Sequence, residues 1–64
     1  MTPKQFKLLR VRARLTTDSL ATRLGVSRMT IWRWEHGRVA VPGPVAIALR
    51  AVYEEVGREE DRTA

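Results

Sequence analysis

The sequence predicts an all-α fold, a small bundle of four to five helices, on three observations. Apolar residues recur at helical spacing in four separate stretches. Each stretch opens on a serine, threonine or proline, and three of them close on a glycine. No strand pattern, internal repeat or low-complexity segment interrupts them. At 64 residues the chain makes one domain. A chain of this size buries only about 60% of its unfolded surface, so the stability margin is small.

The first helix is expected over residues 3–14. Thr2 caps it, and Pro3 takes the first helical position, where a missing N–H costs nothing. Phe6, Leu9, Arg10 and Ala13 share one face. "LTTD" breaks the pattern, and Thr16 or Thr17 caps a second helix over 17–24 with Asp18 in its first turn. Leu20, Ala21 and Leu24 point inward. Gly25 stands where a left-handed residue ends a helix without penalty. Ser27 caps a third helix over 28–35, which Gly37 ends. "RVAVPGP" is a loop whose Val39 and Val41 cover the core. A fourth helix starts near Pro44, with Val45, Ala48, Leu49, Val52 and Val56 on one stripe. Ile47, Ala51 and the aliphatic part of Arg50 widen that stripe, and Gly57 stops it. The expected domain is therefore 1–57, followed by a disordered or frayed acidic tail over 58–64.

Composition narrows the function classes. With no cysteine and one histidine, the chain offers no disulfide framework, thiolate site or histidine-rich metal cluster, and no cofactor is implied. No apolar run of about 18 residues exists to span a membrane, and the N-terminus lacks a signal core, so a cytoplasmic location is expected. Residues 1–42 hold nine Lys or Arg against Asp18 and Glu35, a net of +7, while residues 43–64 carry a net of −2. Positive charge concentrated at one end points to a polyanion partner. Asp18 and Glu35 are the only acids in that basic part, and no nucleophile–histidine–acid or metal-ligand spacing accompanies them. The sequence accordingly argues against an enzyme and gives no sign of a small-molecule ligand.

The second helix, the turn at Gly25 and the third helix form a helix-turn-helix pattern. Ala21 is small where the two helices approach, Val26 plugs the space under the turn, and Ile31 and Trp34 anchor the third helix. With those two inward, the 100° step between residues throws Arg28, Met29, Trp32 and Arg33 to the opposite face. That face suits the major groove of B-DNA. Arg28 and Arg33 are the expected base readers, since arginine donates two hydrogen bonds to guanine O6 and N7. Met29 and Trp32 are placed to press on thymine methyl groups. Trp32 has an alternative, packing on the loop at 38–42, which the sequence leaves open. Thr16 and Thr17 at the start of the second helix, with Ser27, Thr30, His36 and Arg38 around the groove, are the expected phosphate contacts. Arg14 and Arg23 are weaker candidates.

Leu20, Ala21, Gly25, Val26, Ser27, Ile31, Trp34, Glu35 and Gly37 within "LATRLGVSRMTIWRWEHG" resemble the phage repressor and Cro-type helix-turn-helix domains, the xenobiotic-response-element family. The resemblance covers roughly residues 5–56. It implies a four- or five-helix DNA-binding domain acting as a homodimer on an inverted-repeat operator. It also implies that Arg10 pairs with Glu35, and Arg10 on an apolar face needs such a partner. The chain departs from the family in its "VPGP" loop, where a short helix is often found, and in the bulk of Trp32. Dimer contacts are expected from Val52, Tyr53, Val56 and Ile47, which one core cannot fully use. These features suggest a small repressor, such as the autorepressor of a phage or mobile-element operon. The rival reading is an antitoxin-like module that binds an acidic protein partner.

Overall fold

The computed structural model describes the backbone of residues 1–63 and the side chains of residues 1–58. Four helices follow one another: α1 Pro3–Arg12, α2 Thr17–Leu24, α3 Arg28–Glu35 and α4 Gly43–Thr63. Among the described residues there is no strand. The all-α bundle predicted by periodicity is thus the fold, with four helices and none within 36–42.

The starts are set by side chains that satisfy orphan backbone donors. Thr2 and Gln5 form a capping box: the Gln5 N–H donates to Thr2 Oγ1 at 3.1 Å, and the Thr2 N–H to Gln5 Oε1 at 2.9 Å. Thr16, rather than Thr17, caps α2, and Ser27 caps α3. At the head of α4 the Pro42 carbonyl accepts from the Val45 and Ala46 N–H groups.

The first three helices end in the same way. A residue in the left-handed region follows the helix, and two backbone bonds close back over the last turn. Gly25 (φ +71°) and Gly37 (φ +69°) serve α2 and α3. Arg14 (φ 60°) serves α1. The closing bonds run from Gly25 to Thr22 and Val26 to Ala21, from Gly37 to Trp34 and Arg38 to Arg33, and from Arg14 to Val11 and Leu15 to Arg10. The apolar residue after the turn, Val26 or Leu15, then packs on the core. Helix α1 therefore ends two residues before the expected position, because Arg14 makes a turn for which the sequence offers no glycine.

Phe6, Leu20, Ala21, Ile31, Trp34 and Leu49 form the core, one or two residues from each helix. Phe6 meets Trp34 edge-on, with ring centroids 5.7 Å apart. Helix α1 packs on α3 and α4, and α2 packs on α3. Three expectations need correction. Val41 packs against the core, but Val39 is exposed. Ile47 is 72% exposed and Ala51 and Arg50 are exposed, so they do not widen the buried stripe of α4. Gly57 does not stop α4, which continues to Thr63; Ala64 lies outside the described residues. A glycine inside a helix costs about 1 kcal/mol relative to alanine. That is too little to break a helix whose neighbours, Glu54, Glu55 and Arg58, are good helix formers.

Candidate nucleic-acid interface

Helix α3 has two faces. Ile31 and Trp34 are buried, whereas Arg28, Met29, Trp32 and Arg33 are exposed. Met29 and Trp32 remain 55% and 42% exposed, an apolar area that the core does not use. Thr17 of α2 joins Arg28, Met29 and Trp32 around an open groove of about 720 Å³. The surface that the sequence assigned to base reading is therefore one continuous concavity between α2 and α3, except that Arg33 lies outside its lining.

Two contacts on this surface went unforeseen. The Arg28 Nε lies 3.6 Å from Asp18 Oδ1, with both side chains 71% exposed. An ion pair this open to water adds little stability, but it keeps a carboxylate at the rim of a basic face. The spacing between the two residues carries no periodic signal. The second contact is a ring stack. The Trp32 and His36 rings lie 4.1 Å apart and 15° from parallel. The His36 Nδ1 is 2.9 Å from the Trp32 carbonyl oxygen, which can only accept, so Nδ1 carries the proton. Trp32 thus leans on His36. Here a signal did exist, because residues four apart on a helix are neighbours.

The expected phosphate contacts form two hydroxyl pairs at helix starts. Thr16 Oγ1 accepts from the Ser19 N–H at 3.0 Å and lies 2.9 Å from Ser19 Oγ. Ser27 Oγ accepts from the Thr30 N–H at 3.2 Å and lies 2.9 Å from Thr30 Oγ1. Each pair uses one hydroxyl hydrogen internally and keeps one to donate outward. Ser19 is thus the partner of Thr16, one turn into α2. Thr17 and Thr30 are half-buried, and Arg38 is exposed in the turn after α3. Of the weaker candidates, Arg23 lies 3.8 Å from Glu55 of α4.

Beneath the interface, the Arg10 Nε donates to Glu35 Oε1 at 2.7 Å, with the two side chains 13% and 5% exposed. The same guanidinium donates to the Leu15 carbonyl oxygen at 2.9 Å. It therefore ties the start of the loop before α2 to the last residue of α3. On α4, Tyr53 is exposed at the edge, Val52 and Val56 are half-buried, and Ile47 faces outward. Leu8 and Val11 add exposed apolar area on α1.

Among the described residues there is no cluster of His, Cys, Asp or Glu that could hold a metal, and no helix long and apolar enough to cross a membrane. Comparison with curated proteins and with solved structures gives no significant match. The family model described as "Helix-turn-helix domain" matches residues 4–62, nearly the whole chain and all four helices. With two short helices joined at Gly25 and an exposed face on the second, the chain belongs to the helix-turn-helix domain family of DNA-binding domains.

Proposed function

We propose that the protein is a sequence-specific transcriptional regulator of the phage repressor and Cro type. In this reading it is a small repressor that binds an inverted-repeat operator as a homodimer in the cytoplasm. One observation supports the reading above all others. Arg28, Met29, Trp32 and Arg33 are exposed on a helix whose remaining large side chains, Ile31 and Trp34, are anchored in the core. A helix so anchored presents a fixed set of donors and apolar surface to the major groove, where each base pair has its own pattern.

Arg28 and Arg33 read guanines, and the hydroxyl pairs with Thr17 and Arg38 hold the phosphates, with His36 beside the same groove. A single module of this size binds weakly, and two gain by reading half-sites about 34 Å apart. Val52, Tyr53, Val56 and Ile47 of α4 supply the contact between copies. Such a protein represses most simply by covering a promoter, its own operon's included.

Fluorescence anisotropy on the DNA upstream of the gene and on a random duplex tests the proposal. The upstream duplex binds more tightly, and Arg33→Ala removes that preference while leaving the helical circular dichroism unchanged. Each lost arginine–guanine pair costs about 1–3 kcal/mol of discrimination. Wild-type binding by both Arg28→Ala and Arg33→Ala would contradict the assigned face.

A further inference from the structure

The groove beside α3 joins two chemistries that a helix need not put together. It is lined by Thr17, Arg28, Met29 and Trp32, a hydroxyl-bearing and a cationic residue beside two large apolar ones. Residues three and four apart on a helix are neighbours, so Trp32 flanks both Arg28 and Met29. On the major-groove edge of DNA, the apolar feature is the 5-methyl group of thymine, and guanine offers two acceptors, O6 and N7. 5-Methylcytosine carries the same substituent at the same ring position.

We infer that this composite surface reads the 5-methyl group of a pyrimidine lying beside a guanine, with His36 positioning the indole that meets the methyl. Thymine and 5-methylcytosine fit there alike, and a pyrimidine without the methyl binds more weakly. The inference rests on the DNA-binding reading above and narrows it to a ligand feature.

The role of His36 follows from its two contacts. Its ring lies 4.1 Å from the Trp32 ring, nearly parallel to it. Its Nδ1–H donates to the carbonyl of Trp32 itself at 2.9 Å, so the imidazole cannot swing away without losing a hydrogen bond. The indole is backed on one side, and its order is set before DNA arrives, which lowers the entropic cost of using it.

The test uses duplexes recovered from a random-sequence library by selection with the full chain, each titrated by anisotropy. Thymines are replaced one at a time by deoxyuridine, and at the sensitive position cytosine is compared with 5-methylcytosine. At one thymine beside a guanine in each half-site, loss of the methyl weakens binding roughly fourfold, the value of one buried carbon. 5-Methylcytosine binds more tightly than cytosine by a similar factor. Trp32→Ala removes both differences. His36→Ala shrinks them, each difference being taken within the one protein, without changing the melting temperature, and His36→Phe, which keeps a flat ring at the stack, restores them. Equal binding of thymine and deoxyuridine at every position, or full methyl preference in His36→Ala, overturns the inference while the DNA-binding reading stands. Failure of the selection to yield any preferred sequence overturns both.

Discussion

Arg10 and Glu35 are the two charges on which the anchoring of α3 most depends. Glu35 is the last residue of α3, and its side chain is almost fully buried against a guanidinium that also holds the Leu15 carbonyl. Removing the cation leaves a buried carboxylate without compensation. Arg10→Ala should therefore lower the unfolding free energy by about 3–5 kcal/mol. A urea titration followed by circular dichroism measures this, and a change under about 1 kcal/mol, the value of an exposed pair, would mean the bridge is solvated. Asp18 makes the opposite case, since its pair with Arg28 is open to water and carries little stability. On the proposed DNA-binding face, a carboxylate at the rim would repel phosphate and compete with it for Arg28. Asp18→Asn should bind random duplex more tightly and discriminate operator less, with an unchanged melting temperature. Equal affinities for both duplexes in the two proteins would put Asp18 outside the interface. The pairing of Arg10 was legible because a charge on an apolar face demands a partner, and the resemblance named one. The Asp18–Arg28 contact was not, because nothing in the spacing of residues 18 and 28 shows how α2 and α3 cross.

The helix starts are legible in the sequence, and the helix ends only in part. Thr2, Thr16 and Ser27 announce themselves by residue type, and Gly25 and Gly37 mark two of the turns. Arg14 adopts the same left-handed conformation without being glycine, and local sequence has no signal for that. Gly57 misled in the other direction, since a glycine permits a stop but does not impose one while α4 has good helix formers on both sides. The outward turn of Ile47 was equally hidden, because a residue at the border of an apolar stripe can fall on either side. The turn between α2 and α3 yields a direct prediction. A Cβ at Gly25 meets nothing within 4 Å, so only the positive φ opposes a side chain. Gly25→Ala should destabilise the domain by about 1–2 kcal/mol through backbone conformation alone. Thermal melting checks this; for a domain of this size each kcal/mol moves the midpoint by about 4–8 °C. An unchanged midpoint would mean that the turn relaxes out of the left-handed region.

For the whole molecule, the uneven charge and the unpartnered apolar side chains set the expectations. Of the net +7 on residues 1–42, α1 carries +4, α2 and α3 together +1, and Arg14 and Arg38 in the turns the rest, while the acidic excess lies on α4. Affinity for any duplex should fall with salt, by about 0.9 in logarithmic slope for each phosphate neutralised. Several phosphates per subunit are expected from the arginines and lysines of residues 1–42, since neutral hydroxyls release no counterion, and a slope near zero would remove the polyanion reading. Sedimentation velocity on the proposed dimer should give twice the chain mass at high micromolar concentration. Ile47→Glu should return it to the monomer with its helicity intact, because that side chain takes no part in the core; a monomer throughout, with and without operator, would contradict the α4 contact. Helix α3 divides into an anchored face and an exposed face proposed to read DNA, and its two tryptophans report on the two faces independently. In a proton–nitrogen correlation spectrum titrated with duplex DNA at low ionic strength, the Trp32 indole N–H should shift strongly, together with the amides of residues 27–33. The Trp34 indole N–H, on a ring packed edge-on against Phe6 in the core, should move much less. Shifts confined to α1 and α4 with a silent Trp32 would contradict the account.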